Sequence, residues 1–149
     1  LGIGLYGYNN SLMRGLNLKP ALAMKTIITS IKEISIGEAI GYNFTFRASR
    51  NMKVAMIPAG YYEGVDRRLS NIGFVKIGNE FCPIIGRVSM NITIIDVSDV
   101  PGVKVGDEVM IISANKGDKN SIEGIAKLCH TIPYEILVHI PAHLRRNII

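Results

Sequence analysis

Residues 41–64, GYNFTFRASRNMKVAMIPAGYYEG, constrain this chain more than any other stretch. Two glycine-tyrosine turns, Gly41-Tyr42-Asn43 and Gly60-Tyr61-Tyr62-Glu63-Gly64, flank the apolar segment Met52-Lys53-Val54-Ala55-Met56-Ile57-Pro58, which reads as a buried strand. Glycine beside tyrosine lets the backbone turn sharply, so each ring projects from the rim of a sheet instead of packing into it. A strand of about seven residues reaches about 23 Å at ~3.3 Å per residue, so the turns meet only if the chain folds back between them. The polar residues between Phe44 and Asn51 supply that fold. Two phenols on neighbouring rim loops suit a polar site; the alternative is that both rings simply cover the sheet edge.

The rest of the chain divides into short runs. Residues 2–8 read as an apolar strand punctuated by glycines, 9–11 as a turn, and 12–18 as an irregular link. Residues 22–34 are rich in β-branched side chains, as strands are. Residues 74–77 and 80–85 bracket Gly78-Asn79, a dipeptide suited to a two-residue hairpin. Further strands are expected over 92–97 and 103–112, the second entered through a bend at Gly106. Residues 121–130 make the one convincing helix, with Ser121 placed to cap it and Ile122, Ile125, Ala126 and Cys129 sharing a face. Pro133 stops it, and 134–140 reads as a returning strand. The pattern predicts a mainly β, antiparallel, small barrel-like domain, closed or nearly closed, with one or two short helices.

Composition excludes several classes. Hydrophobic residues make up 48% of the 149 and charged residues 19%, which rules out a disordered tail and allows one domain with a real core. No apolar run reaches the roughly 18 residues a membrane helix needs, so no membrane partner is expected. The net charge of +5 would draw acidic ligands, but the positives are scattered, with Arg145-Arg146 the densest pair, and tryptophan is absent. Without the interleaving of basic and aromatic residues that single-strand binders use, nucleic acid is not an expected partner. Cys82 and Cys129 lie far apart, and His130, His139 and His143 lack zinc-ligand spacing, so no metal and a reduced, cytoplasmic setting are expected. The opening on Leu1, in what reads as the middle of a strand, leads to the expectation of a piece of a longer protein. There is no Gly-x-Ser-x-Gly elbow and no Gly-x-x-x-x-Gly-Lys loop. Gly2-Ile3-Gly4 either cradles a phosphate or marks close packing. Arg67 and Arg87, beside glycine-rich turns, either hold a carboxylate or stand solvated.

The motifs also fall in a known order. Gly2-Ile3-Gly4-Leu5-Tyr6-Gly7, Leu18-Lys19-Pro20-Ala21-Leu22, Gly41-Tyr42-Asn43-Phe44, Pro58-Ala59-Gly60-Tyr61-Tyr62, Arg67-Arg68-Leu69-Ser70-Asn71, Gly86-Arg87-Val88-Ser89-Met90-Asn91 and Ile132-Pro133-Tyr134-Glu135 together span nearly the whole sequence. This series resembles the C-terminal domain of alanine racemases, pyridoxal 5'-phosphate enzymes with an N-terminal (β/α)8 barrel. The resemblance implies that residues 1–10 end that barrel or link to it, and that 11–149 form the C-terminal β-domain. It implies that Tyr42 is the catalytic tyrosine, exchanging a proton with the amino acid's α-carbon on one face. Met90 would offer its backbone amide to the substrate carboxylate. Gly2, Ile3 and Tyr134 would surround the cofactor phosphate, and Tyr61, Arg67 and Arg87 would line the substrate entryway. Racemisation needs a base on each face, and the opposite base in the family is the cofactor-bearing lysine of the barrel.

On this reading the intact enzyme interconverts L- and D-alanine for peptidoglycan. It works as a homodimer in which the tyrosine of one subunit completes the site on the partner's barrel, so residues 1–149 alone are expected to be inactive. Several positions depart from the family pattern: Glu63 and Asn91 each stand where an aspartate is usual, Val65-Asp66 replaces an aromatic-proline-like pair, Ser89 replaces a cysteine, and Pro133 replaces an asparagine. A racemase of serine or other amino acids, and a non-catalytic homologous interaction module, are the alternative functions.

Overall fold

The computed structural model describes residues 2–9 and 17–148, and its strands form three antiparallel sheets. In the first, β1 (Met24–Ile27) lies beside β9 (Glu108–Ile112), followed by β6 (Phe74–Ile77) and β7 (Glu80–Pro83). In the second, β5 (Met52–Ile57) runs between β2 (Ser30–Ile34) and β8 (Thr93–Asp96). The third is a small hairpin of β3 (Ala39–Ile40) and β4 (Phe46–Arg47). β5 is the buried strand expected between the tyrosine turns: Met52, Val54, Ala55 and Ile57 are all buried. The Gly78-Asn79 hairpin joins β6 and β7 in register, Ile77 opposite Glu80.

The β-branched run 22–34 is two strands rather than one. At Ile28 the chain leaves the first sheet for the second: the Ile28 amide donates to the Asp107 carbonyl (3.0 Å), and the next amide, Thr29, donates to Met56 (2.9 Å). Ile28 is completely buried at that corner. A bridge between Ile84 and Ile95 makes a second corner, from the end of β7 to β8. A strand that switches sheets lets two sheets enclose one core, here built from Ile57, Val75, Ile95, Val97, Val109 and Ile112. The mainly β, antiparallel reading therefore holds. The sheets share corners but keep separate ladders, so among the described residues no single closed barrel forms.

α1 (Ile122–Leu128) buries the expected face of Ile122, Ile125, Ala126 and Cys129. It ends with His130 at φ 51° while the Thr131 amide reaches back to the Ala126 carbonyl (2.9 Å), the hydrogen-bonded left-handed cap that closes many helices. Ser121 Oγ accepts from the Gly124 amide (3.0 Å) and donates to the Lys116 carbonyl (3.3 Å), fully buried. Ser121→Ala is expected to lower the unfolding free energy by about 1–2 kcal/mol, measured by urea titration, because it removes a cap and strands buried polar groups.

Two expected strands are helical. Residues 134–140 lie mostly in α2 (Pro133–Val138): Pro133 sits in its first turn, where the missing N–H costs nothing and the fixed φ favours helix, so it starts this helix as well as following α1. Gly2–Tyr6 is a 3-10 turn, with Gly2 at φ 36° and Gly7 at φ 87°, backbone angles an extended strand does not use. Its bonds are local: the Gly7 amide donates to Gly4 and the Tyr8 amide to Ile3. The irregular link read over 12–18, and the boundary at residue 10, fall largely outside the described residues. Among the described residues no helix is long and apolar enough to cross a membrane.

Candidate functional site

Between the two tyrosine turns the chain bends at Ser49-Arg50, where β4 gives way to β5, within the polar stretch expected to fold back. The first turn itself closes the β3–β4 hairpin, with Ala39 opposite Arg47 and Ile40 opposite Phe46. Tyr42 sits at its tip in the 3-10 turn Tyr42–Phe44, where Asn43 and Phe44 take φ of 60° and 50°. Non-glycine residues in that region carry backbone strain and are held there by their surroundings. The Tyr42 ring projects outward, 71% exposed. Gly41 packs against Gly86 and Arg87 so closely that a Cβ there would lie 3.1 Å from the Arg87 nitrogen.

The second turn, Tyr61–Glu63, is fastened to the same segment. The Tyr61 amide donates to the Ser89 carbonyl (3.0 Å) and the Tyr62 amide to the Met90 carbonyl (2.9 Å). Residues 86–92 thus receive both tyrosine turns, one at Arg87 and the other at Ser89 and Met90. Met90 is 53% exposed beside them. Arg87 is half-buried, and its Nε is buried without a hydrogen-bond partner among the described residues. Its flanking backbone is held from both sides: Gly86 donates to Asn71 Oδ1 (2.7 Å) and Val88 to Ser70 Oγ (3.0 Å). In the sequence Ser70 and Asn71 stand out only as the end of the Arg67-Arg68-Leu69-Ser70-Asn71 motif, which does not reveal this role. The signal for it is residue type, since Ser and Asn beside a turn often bond nearby backbone and Asn tolerates the left-handed φ of 64° found at Asn71.

A second group gathers Gly2, Ile3 and Tyr134. The Ile3 amide donates to Tyr134 Oη at 3.4 Å, a long bond, and a Cβ on Gly2 would stand 3.0 Å from the same oxygen. Only glycine leaves that space open. A hydroxyl and backbone at a glycine turn suit an anionic oxygen, so these residues fit a phosphate.

An open cleft of about 510 Å³ is lined by Tyr61, Arg67, Arg68, Glu135 and His139 among others, but not by Tyr42, Met90, Arg87, Gly2, Ile3 or Tyr134. Arg67 is exposed on the 3-10 turn Arg67–Leu69. Its neighbour Arg68 ties the Arg67–Leu69 turn to α2, donating to Asp66 (2.6 Å) and to Glu135 (2.7 Å), the residue after Tyr134. Burial pushes the Asp66 carboxyl up, but hydrogen bonds from the Arg68 side chain and backbone, with its charge, outweigh that and hold it below the usual range. The Glu135 carboxyl is likewise lowered, first by the Thr131 hydroxyl and then by Arg68. Depressed folded pKa values mean stabilisation that is complete above the ordinary carboxylate range and lost as pH falls through the lowered values. Arg68→Met is therefore expected to flatten the loss of stability between about pH 5 and pH 3, measured by urea unfolding across that range.

Residues 21–148 match the family described as alanine racemase, C-terminal domain. The chain belongs to this family. It is 42% identical over 147 residues to alanine racemase 2 of Caldanaerobacter subterraneus subsp. tengcongensis, covering 97% of this chain and 38% of that protein. Against the alanine racemase of Halothermothrix orenii it is 42% identical over 148 residues, 98% of this chain and 39% of the relative. Alanine racemase of Clostridium difficile 630 superimposes with a TM-score of 0.85 at 31% identity, covering 94% of this chain and 37% of that one. Alanine racemase from Bartonella henselae with covalently bound pyridoxal phosphate gives 0.83 at 31% identity, with 93% and 38% covered. This family member thus spans less than half the length of the relatives it matches.

Proposed function

We propose that the natural protein carrying this domain interconverts L- and D-alanine with pyridoxal 5'-phosphate, supplying D-alanine for peptidoglycan. The observation that carries this reading is the convergence of both tyrosine turns on the segment bearing Arg87 and Met90, in a member of the alanine racemase family. The names of the relatives support alanine as substrate and the Bartonella structure supports the cofactor.

In this reading Tyr42 Oη moves a proton to or from the α-carbon on one face. The Met90 backbone N–H binds the substrate carboxylate, and Tyr61, Arg67 and Arg87 line the entryway, the two guanidinium groups supplying the charge that draws a carboxylate. Tyr134 Oη with the Gly2 and Ile3 backbone holds the cofactor phosphate. The cofactor, when bound, supplies the electron sink that makes the α-proton removable.

Tyr42, Phe44, Tyr62 and Met90 all stand more than half exposed, a concentration of aromatic and apolar surface on the tyrosine turns that supports a covering body. We assign that role to the N-terminal barrel of the partner subunit in a homodimer, with residues 1–10 ending this subunit's own barrel and 11–149 forming the β-domain. The opposite base then belongs to a barrel, and these residues alone are inactive. A cytoplasmic setting is supported by Cys82 and Cys129, free thiols that burial pushes up to about 11, where they stay protonated and unreactive. The test is D-alanine formation by the natural protein with pyridoxal phosphate supplied. Turnover is expected; cofactor binding without turnover of alanine would assign another substrate, and absence of both would favour a non-catalytic module.

A further inference from the structure

Glu63 and Asn91 depart separately from the family pattern, and the fold makes them partners. The carboxylate of Glu63 spans two loops: Oε2 accepts from the Gly60 amide at 2.8 Å, and Oε1 accepts from Asn91 Nδ2 at 2.9 Å. Gly60 opens the Tyr61–Glu63 turn, and Asn91 directly follows Met90. Backbone bonds from Tyr61 to Ser89 and from Tyr62 to Met90 join the same two loops. Among the described residues, Glu63–Asn91 is the one side-chain hydrogen bond between them, and Glu63 has no cationic partner within ion-pair distance.

We propose that Glu63 and Asn91 form a positioning clamp that sets Met90 and Tyr61 relative to each other. The chemistry of the clamp requires unlike partners. Both Glu63 oxygens act as acceptors, so residue 91 must present a donor, and the neutral amide does so without adding charge. A carboxylate at 91 would place two acceptors and two negative charges at hydrogen-bonding distance, and the loops would separate. The clamp is a positioning device, acting through the Met90 amide and the Tyr61 ring; its effect on turnover rests on the racemase reading, whereas its effect on loop geometry does not.

The test compares Asn91→Asp and the double variant Glu63→Gln/Asn91→Asp with the wild type, all in the natural protein. In the double variant the side-chain oxygen introduced at position 63 can still accept from Gly60, while the new amide nitrogen there donates to the carboxylate introduced at position 91, restoring a complementary pair. In Asn91→Asp, amide exchange at Tyr61 and Tyr62 is expected to accelerate about tenfold, since bonds that close a loop protect those amides. The KM for alanine is expected to rise about tenfold with kcat within about threefold of wild type, the split for a lost binding contact. The double variant is expected to recover both. Unchanged exchange in Asn91→Asp overturns the clamp whatever the activity, and so does acceleration that the double variant fails to reverse. Altered exchange with an unchanged KM overturns the positioning role. A wild-type protein that forms no D-alanine refutes the racemase reading, while the exchange measurements still decide the clamp.

Discussion

Tyr42→Phe in the natural protein is expected to lower the racemisation rate about 10³-fold, the range lost when a positioned acid–base group is removed. The substitution deletes one oxygen and keeps the ring. That ring is largely exposed, and among the described residues its hydroxyl has no hydrogen-bond partner within the domain, so the fold does not depend on it. The unfolding free energy should therefore stay within about 0.5 kcal/mol of wild type. The visible absorbance of bound cofactor should also be unchanged, because the residues assigned to the phosphate, Gly2, Ile3 and Tyr134, form a separate group around a different hydrogen bond. Steady-state rates in both directions with a cofactor spectrum make the comparison. A rate within about threefold of wild type would remove Tyr42 from proton transfer.

Gly60→Ala is expected to be strongly damaging, costing about 3 kcal/mol of unfolding free energy as overpacking against backbone does. The backbone angles at Gly60, φ −136° and ψ −155°, suit any residue, so conformational freedom is not the reason for glycine here. Space is the reason. A Cβ would approach the Ser89 and Met90 carbonyls to less than 3.0 Å, and backbone cannot step aside as a side-chain end can. Relief requires the Tyr61–Glu63 turn to lift from residues 86–92, breaking the Tyr61–Ser89 and Tyr62–Met90 bonds. Loss of substrate affinity should accompany the loss of stability, since Met90 moves with them. Gly117→Ala is the control: its nearest neighbour to a new Cβ is Asn115 Oδ1 at 3.6 Å, and it should change stability by no more than about 0.5 kcal/mol. Urea unfolding of both variants and the KM for alanine would measure this; a Gly60→Ala protein as stable as Gly117→Ala would show that the turn is not seated as described.

Residues whose structure depends on near neighbours were legible in the sequence. The 52–57 strand, the Gly78-Asn79 hairpin and the apolar face of α1 each follow from periodicity or turn chemistry within a few residues, and each is present in the fold. The order of motifs carried the family. Where a distant partner decides conformation, the local signal misled. The β-branched run 22–34 reads as one strand because nothing within it marks Ile28 as a corner; the carbonyls of Asp107 and Met56 make it one. The apolar run 134–140 has side chains that suit either element, and Pro133 in the first turn, with α1 packed alongside, selects helix.

The same division applies to the site. Tyr42, Met90, Tyr61, Arg67, Arg87, Gly2, Ile3 and Tyr134 could each be picked out from the sequence, because glycine-rich turns and the order of motifs are linear properties. Which of them share a segment, and what holds them there, could not. Glu63 meets Asn91 across 28 positions, and Arg68 meets Glu135 across 67. A hydrogen bond or ion pair needs its partners within about 3 Å, a condition that sequence spacing does not encode and that the sheet crossings at Ile28 and Ile84 create. The sequence by itself determined the β-rich class, the family and the chemical groups available at the rim; the tertiary structure alone decided which groups face one another, because those distances depend on where two sheets share their corners.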